Sequence, residues 1–247
     1  MYFPYSQCLH STMKYYYVTL LLYSAFLYRS YGQDFSTINR TLQDFSSEMR
    51  FNGSSTGPNP GSWVAKNYKG SVYLEESFIN GKIYTRNNVM FSEMPMRYNA
   101  LDDEVEVRMP DGKYYNISGK AEILKIQLNN REMVFTSYAA SSGNKSGFLT
   151  VIYLGNSVLY KRNWKDYKEG TPSNGIIPET PPSIVDKPAV YFIAVRGEVP
   201  IEIKGKKDLI TLMANHGPEV EAYCRKEILN LRQEADLAAA VAYFDSL

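Results

Sequence analysis

The chain has 247 residues, 44% of them hydrophobic and 21% charged, which is enough apolar side chain for a packed core and excludes a disordered, self-repelling chain. Its 27 Lys and Arg balance 26 Asp and Glu to a formal net charge of +1, and neither sign runs in a block, which excludes the basic stripe that counterion-release binding to nucleic acid requires. The two cysteines and two histidines fall in two pairs near opposite ends of the chain (Cys8 with His10, His216 with Cys224), short of the usual three- and four-ligand metal frameworks, and no metal or cofactor is expected.

From Met13 the chain reads MKYYYVTLLLYSAFLYRSYGQ. A positive start at Lys14, the apolar run Tyr15 to Leu27 and small residues at Ser30 and Gly32 form an export signal with a mature start at Gln33. The run is shorter than the roughly 20 residues that cross a bilayer, so no transmembrane span is expected after cleavage. Met13 is a better start than Met1, which leaves open whether residues 1–12 are translated. Without residues 1–32 the chain keeps one cysteine and can form no internal disulfide.

Residues 33–67 read as an N-terminal helix and linker. Phe35, Ile38, Leu42, Phe45 and Met49 recur at helical spacing, and NGSSTGPNPGS at 52–62 is a loop composition. Residues 68–203 read as an antiparallel β domain. Short Val-, Ile-, Tyr- and Phe-rich runs occur at 72–74, 82–85, 96–99, 104–109, 113–117, 122–128, 133–138, 148–154, 157–162, 189–195 and 199–203. Asp111-Gly112, Asn129-Asn130 and Gly155-Asn156 supply hairpin turns between neighbours. The stretch 169–188 contains Pro172, Pro178, Pro181, Pro182 and Pro188 and can be neither central strand nor helix. After Gly205 the period becomes helical at 206–215, 218–229 and 233–247. The fold class expected is α+β: an antiparallel meander forming a curled sheet or barrel-like domain, followed by a small C-terminal helical unit at 204–247.

GSVYLEESFINGKIY at 70–84, MPMRYNALDDEVEV at 94–107, SGFLTVIYLGNSVLYKR at 146–162 and the ending from KKDLITLM through RQEADLAAAVAYF resemble a family of uncharacterised exported proteins of Bacteroidetes-type bacteria. The resemblance covers roughly residues 68–247. It implies a periplasmic or cell-surface location and a β-rich fold with a helical end, and it carries over no catalytic residue.

Asp102, Asp103, Glu104 and Glu106 are the densest acidic group, and paired carboxylates serve glycoside hydrolysis or a hard cation. The plainer account is a turn followed by the solvated face of a strand. The neighbouring Arg97-Tyr98-Asn99 suits contact with carbohydrate or carboxylate, or else Arg97 pairs with an adjacent acid. The candidate binding residues are therefore Arg97, Tyr98, Asn99, Asp102, Asp103 and Glu104. No catalytic set is expected, since His216 sits at a helix end with no GxSxG serine to serve and Cys224 reads as a packed helix residue. Trp63, Trp164, Tyr68, Tyr73, Tyr84 and Tyr98 could line a groove but suit a sheet core equally. Four N-x-S/T sites, at Asn39, Asn52, Asn116 and Asn144, read as chance matches in a bacterial chain.

Three functions follow as expectations. The first is a non-enzymatic envelope protein binding a macromolecular partner. The second is a carrier of an apolar ligand or lipid between the curved sheet and the tail helices. The third is a carboxylate-dependent hydrolase built on the Asp102–Glu106 acids.

Overall fold

In the computed structural model the described residues are 38–40, 42–48, 51–55, 68–173, 175 and 178–247. The expected export signal at 1–32, the part of the expected 52–62 loop after Ser55, and Trp63 lie outside them. The β-branched and aromatic runs form β3 (Ile79–Thr85), β4 (Val89–Asn99), β5 (Glu104–Arg108), β6 (Tyr114–Ile117), β7 (Ile123–Leu128), β8 (Arg131–Ala140), β9 (Gly143–Leu154) and β10 (Ser157–Arg162). These strands pair antiparallel, as a meander requires, except that β7 returns beside β3 instead of following β6. The turns fall where the composition places them, with Asn129 at φ 56° and Gly112 at φ 80°, backbone positions that Asn and Gly occupy at least cost.

The segment before residue 56 departs from the sequence expectation. Only Leu42–Glu48 is helical (α1); Ile38–Arg40 (β1) and Phe51–Ser55 (β2) are strands, β1 parallel to β4 and β2 antiparallel to β6. Unpaired edges of β4 and β6 accept these short segments, and tertiary pairing overrides their weak helical spacing. Around 72–74 the expected strand reduces to one bridge, Tyr73 opposite Asn99. The proline-rich stretch contributes β12 (Ser183–Asp186), which pairs with β11 (Lys165–Lys168) in a separate two-stranded sheet and bridges Lys69 through Ser183. Its prolines keep it out of the main sheet because they remove ladder donors.

β13 (Val190–Val195) pairs with β10, and β14 (Ile201–Ile203) pairs with β13 and then reaches β8, where the Ala139 amide donates to the Pro200 carbonyl at 2.8 Å. Strands β8, β9, β10, β13 and β14 therefore close into a small ring at one end of a 12-stranded sheet. Tyr138, Leu149 and Phe192 fill one face of this ring. The alternate residues Leu159, Ile193 and Ile203 pack on the tail: α2 (Lys206–Leu212), α3 (Gly217–Lys226) and α4 (Glu234–Asp245). That split follows from the two-residue period of a strand.

The other end of the sheet curls around the main core, which includes Ile83, Phe91, Met96, Val105, Ile117, Ile126 and Phe148. Phe45 of α1 closes it, fully buried with its ring 4.8 Å from that of Phe91 in an edge-on contact. β4 keeps both its halves in this core by a bulge. Val89 and Phe91 point inward, Glu93 adopts φ 53°, and from there Met94, Met96 and Tyr98 point inward. One residue in the left-handed region shifts the alternation by one and spares the strand from turning its apolar side to water.

Candidate functional site

The six residues singled out from sequence meet on one hairpin, β4 and β5, and each is used internally. Register sets Arg97 opposite Glu106 and Asn99 opposite Glu104. Arg97 Nε donates to Glu106 Oε2 at 2.8 Å, and its Nη2 lies 2.7 Å from the same oxygen as an ion-pair contact without hydrogen-bond geometry. The guanidinium stacks among the rings of Tyr73, Phe78 and Tyr114 at 3.7, 4.3 and 4.6 Å, an arrangement that offsets the loss of its hydration. Tyr73 Oη donates to Glu106 Oε1 at 3.2 Å. Glu106 is 1% exposed, so the strand face that sequence reads as solvated carries a buried ion pair. Burial raises the Glu106 carboxyl above the ordinary range, against the opposing pull of Arg97 and the Arg97 and Tyr73 hydrogen bonds.

The acids next to it tie the hairpin turn. Asn99 Oδ1 accepts from the Leu101 and Asp102 amides at 3.0 and 3.1 Å, and its Nδ2 donates to Asp102 at 3.1 Å. Asp103, at φ 58°, accepts from the Tyr98 hydroxyl at 2.6 Å and from the Phe148 amide at 3.2 Å. A Cβ at residue 147 would collide with this carboxylate, which explains glycine there. Lys120 Nζ donates to Glu104 at 2.6 Å and to the Asp103 carbonyl at 3.3 Å. Burial nonetheless raises the carboxyls of Asp102 and Glu104, outweighing the Asn99 bond in one case and Lys120 in the other. Among the described residues no three His, Cys, Asp or Glu side chains converge as a metal would require.

Four of the aromatic candidates are used within the fold. Tyr73 and Tyr98 are buried, Tyr84 donates to Gln127 at 3.1 Å, and Trp164 Nε1 donates to the Pro188 carbonyl at 3.1 Å. Cys224 is buried in α3, and burial raises its thiol pKa, which suits a packed thiol and not a nucleophile. His216 ends a 3-10 turn, Ala214–His216, with its ring 6.1 Å from that of Phe244.

The roomy part of the molecule lies elsewhere. A cleft of about 980 Å³ opens between β13, β14 and the tail, with Ile203, Leu209, Cys224 and Leu237 on its floor and Lys204, Lys206, Arg225 and Arg232 around it. A smaller cleft of about 530 Å³ lies between the β13–β14 turn and the α4 end, lined by Val199, Ile201, His216 and Phe244 among others. The large cleft falls within the size range of small-molecule sites. Its residues are not legible in the sequence because they come from six short runs between 188 and 237, each with an ordinary local pattern. Ile228 gave no signal in the sequence: it continues the Val220, Cys224 spacing, and only the structure shows the helix ending at Lys226 and Ile228 turned out.

Compared with protein families, with curated proteins and with solved structures, the chain matches none.

Proposed function

We propose that this chain is an exported, non-enzymatic binding protein of the cell envelope, carrying an apolar-bodied small ligand in the cleft between the closed end of its sheet and its helical tail. The observation that carries this reading is the 980 Å³ cleft itself, apolar at its floor and open at its rim. The interior of the curled sheet is filled by its own side chains, so the outer face of β13 and β14 offers the space that the inner face lacks. The non-enzymatic part is supported by the hairpin acids, each of which bonds donors within the fold. Export is supported by Lys14, the apolar run Tyr15 to Leu27 and the resemblance described above.

The test is a native mass spectrum of the chain isolated gently from an exporting bacterial host. A bound small species released on denaturation is the expected result, and repeated preparations without one count against the carrier. A second reading, docking of a macromolecular partner, is favoured by the exposed apolar residues Leu154 and Val199, 69% and 56% accessible. Adduct-free protein that cross-links through this end to one envelope protein would establish it instead. Turnover of a defined substrate, abolished by one substitution in folded protein, would overturn the non-enzymatic reading.

A further inference from the structure

The large cleft is asymmetric in charge as well as in polarity. Lys206 is held by Glu221 at 2.9 Å, and Arg225 reaches that carboxylate only at 3.9 Å. Lys204 and Arg232 are exposed on the rim and form no ion pair among the described residues. The acids nearby are already committed. Glu202 accepts from the Ser141 amide and hydroxyl at 2.6 and 2.9 Å, and Glu234 is held by Lys161 at 2.8 Å and the Tyr191 hydroxyl at 3.2 Å. Asp208 accepts the Lys204 amide at 3.0 Å and Asp236 the Asn230 amide at 2.8 Å, so acids also stand beside the rim. Among the residues that line the cleft, four cations still face one carboxylate, Glu202, and the apolar floor meets a rim with an excess of positive charge.

Ile228 adds an independent observation. The Leu229 amide donates to the Cys224 carbonyl at 2.9 Å and the Ile228 amide to the Arg225 carbonyl at 3.3 Å, the two bonds of a Schellman helix ending. That motif places residue 228 in the left-handed region, at φ 54°, where glycine is favoured and a β-branched residue is strained. The side chain is also 88% exposed, on the cleft's lip. A strained backbone that holds a β-branched sec-butyl group out in water beside an apolar cleft points to a contact made only when the cleft is filled.

We infer that the ligand is a single-chain amphiphile with an anionic carboxylate head, its chain on the Leu209–Leu237 floor beneath Ile228 and its head at Lys204 and Arg232. This rests on the carrier reading and sharpens it. Charge complementarity selects the head, because each exposed pair contributes modestly and falls with salt. The chain supplies most of the affinity through its removal from water.

The experiment titrates the full chain with three probes of one chain length, laurate, dodecanol and dodecyltrimethylammonium, each below its micelle concentration, using calorimetry. Laurate is expected to bind saturably, roughly three- to tenfold tighter than dodecanol, with the quaternary ammonium weakest. The doubly substituted K204Q/R232Q chain should lower laurate to the level of dodecanol and leave dodecanol unchanged, and Ile228→Gly should weaken both. All three substitutions are at exposed positions, so a thermal melt suffices to verify folding. Dodecanol binding as well as laurate, or a preference for the cation, would overturn the anionic head and leave the carrier reading standing. Failure of folded protein to bind any of the three would overturn both.

Discussion

The Arg97–Glu106 pair allows the packing argument to be tested quantitatively. Glu106 is almost fully buried and Arg97 is enclosed by three rings, so replacing either partner strands the other away from water. Breaking such a pair costs about 3–5 kcal/mol. Glu106→Gln falls at the low end, about 3 kcal/mol, because the cation–π contacts remain and the amide oxygen can still accept from Tyr73. Arg97→Gln leaves a buried carboxyl whose pKa burial already raises above its ordinary 4.5, and losing the cation raises it further. The folded variant then holds its proton to higher pH than the unfolded chain does, so its stability declines as pH rises from about 4.5 through the raised folded value. The variant should regain stability between pH 7 and pH 5, whereas Glu106→Gln, lacking the carboxyl, should show no such recovery. Urea unfolding followed by circular dichroism at both pH values measures the effect. An Arg97→Gln cost below about 1 kcal/mol with no pH dependence would mean that water screens the pair as it does surface pairs, and would refute the argument.

Three further outcomes follow from the same geometry. Asp245 of α4 accepts the Ser157 amide with both oxygens, at 3.0 and 2.8 Å, tying the tail to the β9–β10 turn; Asp245→Ala should cost about 2 kcal/mol and speed hydrogen exchange at Ser157. Ile228→Gly should stabilise the chain by about 1 kcal/mol through relief of the left-handed strain, read as a higher urea midpoint, while weakening ligand binding. Burial first, and then Glu106 beside Tyr73 and Asp103 beside Tyr98, hold both phenols well above their ordinary 10. The stability this contributes is complete below pH 10 and is lost as pH rises beyond it. The phenolate absorbance lost in a Y73F/Y98F chain should therefore appear, in the parent chain, only together with loss of the circular dichroism signal; that same component formed in still-folded protein would show these two tyrosines to be accessible.

Much of the architecture is written in local periodicity. Runs rich in β-branched and aromatic residues placed β5 through β10, β13 and β14, turn chemistry placed Gly112 and Asn129, and helical spacing placed the three tail helices, because strand, turn and helix each favour a short-range composition or pattern. β4 was legible only in its second half, since the Glu93 bulge breaks the alternation that a strand is recognised by. Of the site, the hairpin residues and the pairing of Arg97 with an acid were readable from their proximity in the chain, but the burial of Glu106 was not, because Tyr73, Phe78 and Tyr114 arrive from outside the hairpin.

By itself, then, the sequence determined which segments extend, turn or coil, together with the near-neutral charge. Tertiary structure alone decided that β1 and β2 join the sheet, that β14 returns to β8 and closes a ring, and that β13, β14 and three helices leave a cleft between them. These are pairings between residues distant in the chain, settled by loop-closure entropy, edge hydrogen bonds and shape complementarity summed over the whole fold, and no window of neighbouring residues contains them.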